Sequence, residues 1–181
     1  DGQCIPCDAG KYLPTSSHLS WRCKSCEPGY YTSTAGSQSC KPCAPGKFGV
    51  EESAKSEDMC QPCAKGRFSE AAASTKCLRC PLGLYVGLNN ALACNDCPAG
   101  KYLDQQGDDA SLSDDISKCK DCEVGKYSSI PGWDRPCIVC KTAKSSGSSE
   151  CELCTPGFFK DTSDDDSCLV CDPGKFNELT D

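Results

Sequence analysis

Twenty cysteines are the residues of this chain best equipped for chemistry, and every one falls in a Cys-x-x-Cys pair. The pairs open at Cys4, Cys23, Cys40, Cys60, Cys77, Cys94, Cys119, Cys137, Cys151 and Cys168. Three chemistries use such pairs. Two pairs of thiolates can hold a tetrahedral zinc ion, and intervals of 13 to 16 residues overlap zinc-ribbon spacing. That arrangement needs the pairs grouped two by two, and no grouping is visible. Thiol–disulfide exchange needs a Cys-x-x-Cys at a helix N-terminus beside a βαβ unit, where the thiolate is stabilised. Here Gly and Pro recur about every 18 residues and leave no room for such a helix. The third use is structural disulfides, and cysteines at 11 per cent of the chain fit that class.

The other polar candidates are weaker. His18 is the single histidine, sits in the serine-rich stretch PTSSHLSW and reads as a surface residue. No Gly-x-Ser-x-Gly, His-Glu-x-x-His or phosphate-cradling loop occurs. Asp161, Asp164, Asp165 and Asp166 cluster in KDTSDDDS, and Asp104, Asp108, Asp109, Asp114 and Asp115 share one long loop. Carboxylates suit calcium, but neither stretch matches the Asp-x-Asp-x-Asp-Gly loop, and runs of like charge are usually solvated faces. Asp161, Asp164, Asp165 and Asp166 stay as weak calcium candidates, with no other metal and no cofactor expected. Trp21 and Trp133 each sit among small residues, where local packing on a disulfide competes with a contact to another chain.

The elements that carry the cysteines repeat. After nine of the ten pairs the chain reads Cys-x-x-Gly-x-aromatic. The turn and aromatic residues are Gly10 and Tyr12, Gly29 and Tyr31, Gly46 and Phe48, Gly66 and Phe68, Gly83 and Tyr85, Gly100 and Tyr102, Gly125 and Tyr127, Gly157 and Phe159, and Gly174 and Phe176. A tandem unit of about 18 residues accounts for the whole sequence. Its approximate bounds are 4–22, 23–39, 40–59, 60–76, 77–93, 94–118, 119–136, 137–150, 151–167 and an incomplete 168–181. The chain reads as a fragment of a longer array. The Pro and Gly of motifs such as CEPGYY suit a type II turn, with positive φ at the glycine. The aromatic two residues later starts a short extended stretch and is expected to pack on a neighbouring disulfide or the next repeat. Each loop has room for at most a two-stranded hairpin, which is unstable alone. The expected fold is small and disulfide-rich: a tandem array of short hairpin and loop repeats stacked as a rod or superhelix, with little regular secondary structure.

Composition agrees with staples in place of a core. Leu, Ile, Val and Phe make up 26 of 181 residues, below the ~20 per cent at which an acidic chain is expected to stay disordered. A disulfide closing a loop of about 15 residues contributes about 3 kcal/mol in the chain-entropy model, so several staples offset the entropy that sparse apolar burial cannot. Disulfides persist outside the cytosol, which makes the expected location extracellular: secreted or at the cell surface. No apolar run approaches the ~18 residues that cross a bilayer, so direct membrane insertion of this segment is not expected. A net charge of −7 argues against nucleic acid. No Asn-x-Ser/Thr sequon is present.

Sequence alone does not settle the pairing, but nine similar intervals should close alike. Nearest-neighbour closure gives Cys7–Cys23, Cys26–Cys40, Cys43–Cys60, Cys63–Cys77, Cys80–Cys94, Cys97–Cys119, Cys122–Cys137, Cys140–Cys151 and Cys154–Cys168. Cys4 and Cys171 then bond outside the segment. The rival is a nested pattern, Cys4–Cys23 with Cys7–Cys26 and so on, which leaves no free cysteine but treats alternate intervals differently. The signature does not alternate, which favours the ladder.

The string Cys-x-x-Cys-x-Pro-Gly-x-Tyr/Phe followed by a Ser/Gly-rich stretch resembles the cysteine-rich repeat of ephrin-receptor ectodomains. It is also similar to the first loop of tumour-necrosis-factor-receptor cysteine-rich domains. The resemblance extends over essentially the whole chain. It implies an extracellular, non-enzymatic module used as a spacer, for adhesion or in assembly. The resulting expectation is a structural segment of a large surface protein, forming a stalk or filament such as a flagellar-hair or matrix-fibre component. Its partners would be copies of itself or other filament and surface proteins. The alternative is a receptor ectodomain segment binding a protein ligand. Two intervals depart from the pattern. After Cys140 the chain reads CKTAKSSGSSEC, so Ala143 replaces the glycine and Ser145 the aromatic; this reads as a degenerate repeat, or as a bend carrying O-glycans. After Cys97 the loop is lengthened by DQQGDDASLSDD, which reads as a solvated excursion.

Overall fold

In Cys26-Glu-Pro-Gly-Tyr-Tyr, proline presets its own φ and glycine accepts a positive one, so the chain can reverse within four residues. In the computed structural model of this protein it does. Gly29 has φ 85° and the Tyr30 N–H donates to the Glu27 carbonyl at 3.0 Å. The reversed chain then pairs antiparallel with the dipeptide inside the next Cys-x-x-Cys, Tyr30 opposite Pro42 and Tyr31 opposite Lys41. Proline is tolerated there because the strand is only two residues long and lies at an edge.

The structure describes residues 3–15, 22–105, 109–140, 142–151, 154, 157–160 and 168–175. Among them the same hairpin occurs eight times, each an isolated two-stranded antiparallel sheet. No α-helix is present among the described residues; the helical segments are short 3₁₀ turns at Glu57–Met59, Ala110–Ser113 and Ile116–Lys118. The fold is a tandem disulfide-rich hairpin array.

Nine disulfides close the loops. They join Cys7 to Cys23, Cys26 to Cys40, Cys43 to Cys60, Cys63 to Cys77 and Cys80 to Cys94. They also join Cys97 to Cys119, Cys122 to Cys137, Cys140 to Cys151 and Cys154 to Cys168. We number these loops 1 to 9 in chain order. Cys4 is exposed and Cys171 half-buried, and neither carries a disulfide.

The chain divides into two compact units, Asp1–Cys80 with Val86–Cys94, and Pro81–Tyr85 with Asn95–Asp181. Within the first, backbone hydrogen bonds pass from loop to loop. Loops 3 and 4 share three: Gly46 N–H to Ser69 O at 2.8 Å, Gly49 N–H to Ser74 O at 3.0 Å, and Ala73 N–H back to Cys43 O at 2.9 Å. Within the second unit, loops 6 and 7 repeat the scheme. Gly100 donates to Ser128 O at 2.8 Å, Leu103 to Trp133 O at 3.0 Å, and Gly132 to Cys97 O at 2.8 Å. A net value of about 1 kcal/mol per such bond is modest, but such bonds recur at the successive junctions from loops 1 and 2 to loops 7 and 8.

The buried interior is correspondingly narrow. It consists mainly of cystine sulfurs and the residue that follows each aromatic: Thr32, Ser69, Val86, Leu103 and Ser128. The aromatics of loops 1 to 7 are themselves half-buried. Tyr85 lies against Cys97, Leu103 and Cys119, which form the hydrophobic cluster of the second unit.

Candidate functional site

A thiol is a nucleophile or metal ligand only while it is free. Eighteen of the twenty cysteines stand in the disulfides above, so their sulfurs are committed to structure. Three positions recur among the described residues of the loops: a turn glycine, an aromatic and, four residues after the buried position, a residue with left-handed backbone. The last set is Gly36, Ser53, Ala73, Asn90, Gly132 and Gly147, with φ between 58° and 77°. Its N–H reaches back to the opening cysteine of the preceding loop: Ser53 to Cys26 O at 2.8 Å, Asn90 to Cys63 O at 2.9 Å.

The turn glycines answer to a second constraint besides φ. A Cβ on Gly29 would overlap the Ala73 carbonyl oxygen, and one on Gly46 that of Asn90. In the second unit, Gly83 and Gly100 press in the same way on Gly132 and Gly147. Each of these turns therefore touches the left-handed residue two loops further on. Gly10 does the same with Ser53, so the spacing holds along both units.

Loop 8 corrects the reading of Ala143 as a replaced turn glycine. Gly125 N–H donates to Ala143 O at 2.8 Å, as Gly100 does to Ser128 O. Ala143 is buried to 2 per cent exposure, as Ser128 is to 0 per cent. Gly147 then follows four residues later with φ 77° and donates to Cys122 O at 2.8 Å. Ala143 thus holds the position of Thr32, Ser69 and Ser128. Loop 8 has lost the three turn-and-aromatic residues outright, and Ser145 substitutes for nothing. Counting back from the closing cysteine would have found this, since Gly147 precedes Cys151 by the same four residues that separate Gly36 from Cys40.

The described carboxylates of the long loop are engaged separately. Asp104 pairs with Lys120 at 2.8 Å, and Asp114 with Lys118 at 3.8 Å. Asp109 and Asp115 cap the two 3₁₀ turns, accepting from Ser111 N–H at 2.9 Å and Ser117 N–H at 2.8 Å. The Ser111 backbone bond holds the Asp109 carboxyl below its ordinary range. Among the described residues no three of His, Cys, Asp and Glu converge as a metal site would require. Asp108, Asp161, Asp164, Asp165 and Asp166 lie outside the described residues, as do His18, Trp21 and Phe176. Trp133 is tied locally: its indole N–H donates to Pro136 O at 3.2 Å, and the Arg135 guanidinium lies 5.5 Å from the ring centre. Phe159 pairs across its hairpin with Leu169 and is 39 per cent exposed.

Hollows of about 360 Å³ beside Ile5, Leu13 and Gly36 and about 230 Å³ beside Tyr12, Glu27 and Tyr30 open to solvent. Neither gathers the convergent polar groups that orient a small-molecule substrate. No helix among the described residues is long and apolar enough to cross a membrane.

Residues 14–60 and 53–87 match the family model described as tyrosine-protein kinase ephrin type A/B receptor-like. Residues 14–87 carry ephrin-receptor-like cysteine-rich repeats. No curated protein matches the chain. The match spans the closing part of loop 1 and loops 2 to 4, and enters loop 5. Ephrin-receptor-like repeats of this disulfide-rich kind are a non-catalytic, extracellular type of module.

Proposed function

We propose that this chain is a structural segment of an extracellular or cell-surface protein, building a stalk or filament that holds other parts at a distance. The observation that carries this reading is the loop-to-loop hydrogen-bond scheme, repeated at successive junctions between disulfide-closed loops. Such a scheme adds length one loop at a time and commits the chain's reactive groups to its own architecture. An enzyme reading finds no support in the residues described. In this proposal Cys4, which stands where other loops have a closing cysteine, and Cys171, which stands where they have an opening one, bond to cysteines outside the segment.

The receptor-like family match supports a second reading, a receptor ectodomain segment that binds a protein ligand. Sedimentation of the oxidised segment over a wide concentration range separates the two. A filament component self-associates as concentration rises. A segment that stays monomeric throughout contradicts the filament and favours the receptor.

A further inference from the structure

All ten Cys-x-x-Cys pairs keep two intervening residues, while the loops between them close over separations from 11 to 22. That contrast has a mechanical explanation. A pull on the two ends travels along the shortest covalent route. From Cys7 the route crosses sulfur to Cys23, passes Lys24 and Ser25 to Cys26, crosses sulfur to Cys40, and continues in this way to Cys168. Every loop is bypassed by one disulfide, across which the α-carbons are 5.5 to 5.8 Å apart.

We propose that the chain is a tension line whose length is set by Cys-x-x-Cys steps and sulfur bridges, with the loops stored as slack outside it. Each Cys-x-x-Cys step stretches to about 10–11 Å, so the route from Cys7 to Cys168 saturates near 135 Å, against about 560 Å for the same polypeptide without bridges. A loop can then lose three residues, as loop 8 has, or gain several, as loop 6 has, without changing the line. An added residue inside a Cys-x-x-Cys step would lengthen the line and shift the next hairpin by one residue, turning its side chains to the opposite face. This inference rests on the stalk reading for its biological use, but the load path itself follows from the pairing alone.

Force–extension measurement on the whole oxidised chain, held at both ends, tests it. Without reductant, the extension saturates near 200 Å, about 65 Å of it from the arms outside Cys7 and Cys168, and no step exceeds 30 Å. Dithiothreitol then supplies the two electrons per bridge: one thiolate attacks a sulfur to form a mixed disulfide, and its second thiol closes to the cyclic disulfide and frees both cysteines. Each reduction lengthens the chain by about 33 Å for Cys140–Cys151, about 43 Å for the loops of separation 14, and about 71 Å for Cys97–Cys119. Inserting ten Gly/Ser residues between Gln106 and Gly107 leaves the oxidised length unchanged and enlarges only the longest step, by about 35 Å. Steps above 30 Å in the oxidised chain, or an oxidised length that grows with the insertion, overturn the load path. Failure of the filament reading would appear instead as monomeric sedimentation with this pulling record intact.

Discussion

Loops 7 and 8 lie side by side in sequence and solve the same packing problem with different amounts of chain. Loop 7 runs Cys122, Gly125, Tyr127, buried Ser128, left-handed Gly132, Cys137. Loop 8 runs Cys140, buried Ala143, left-handed Gly147, Cys151. Both close a disulfide, both present a buried carbonyl to the turn glycine of the preceding loop, and both return an N–H to its opening cysteine. Among its described residues loop 8 forms no hairpin. In its place the Ala143 N–H closes directly on Cys140 O at 3.0 Å. The disulfide and the inter-loop bonds are therefore the unit of construction, and the hairpin is an attachment that one loop can do without.

Within loop 2 the same division can be tested by substitution, and here the largest effect is expected. Gly29→Ala forces a left-handed alanine and drives its Cβ into the Ala73 carbonyl, so it should cost about 3 kcal/mol, as strain and displacement add. Gly36→Ala meets only the Pro6 side chain at 3.4 Å and should cost about 1–2 kcal/mol, the backbone strain alone. Chemical denaturation of both variants measures the difference. Equal losses would mean that the contact two loops on carries no weight.

Loop 8 allows the reverse experiment. Inserting Gly-Lys-Tyr between Thr142 and Ala143 restores the signature and places Ala143 six residues after Cys140, where loop 7 has Ser128. Stability should hold within about 1 kcal/mol of the parent, whereas a Gly-Lys-Tyr insertion between Ala143 and Gly147 breaks the four-residue spacing and should destabilise. Comparing the melting temperatures of the two insertions decides whether the deleted piece was a module.

A smaller gain is expected at Ala73, which holds φ 59° where loops 2, 7 and 8 use glycine. Ala73→Gly should stabilise by about 1 kcal/mol, the relief of left-handed strain exceeding the added unfolded-state entropy.

The smallest effect concerns pH. The carboxyl of Glu57 is lowered by its hydrogen bond from Lys47 and then by that charge, Asp109 by the Ser111 backbone bond, and Glu123 by its bond from Lys126. A lowered folded-state pKa gives stability that is present above the unfolded value, near 4, and lost as pH falls through the folded one. Melting temperature should therefore decline slightly below about pH 4, and less so in Glu57→Gln. These side chains are solvent-exposed, so salt should shrink the effect further.

How much of this was legible in the sequence depends on which residues carried the signal. The cysteine spacing identified a stapled repeat, and Pro-Gly pairs such as Pro28-Gly29 marked the turns because their backbone requirements are specific to those residues. The buried position was not legible. Thr32, Ser69 and Ser128 fill it with hydroxyls, satisfied locally by Ser37 at 2.7 Å, Ser74 at 2.7 Å and the Ile130 carbonyl at 3.2 Å. Hydropathy pointed instead to the neighbouring aromatics, which remain half-exposed. The left-handed position was hidden for a related reason, since Ser53 and Ala73 do not announce a positive φ as glycine or asparagine does.

The account depends most on how sulfur is joined to sulfur. Non-reducing digestion followed by peptide mass spectrometry should recover Cys26 linked to Cys40, Cys122 to Cys137 and Cys140 to Cys151, each crosslink closing a single loop. Crosslinks of Cys4 to Cys23 and Cys7 to Cys26 would mean nested pairs, and would contradict both the single-loop closures and the line of tension built on them.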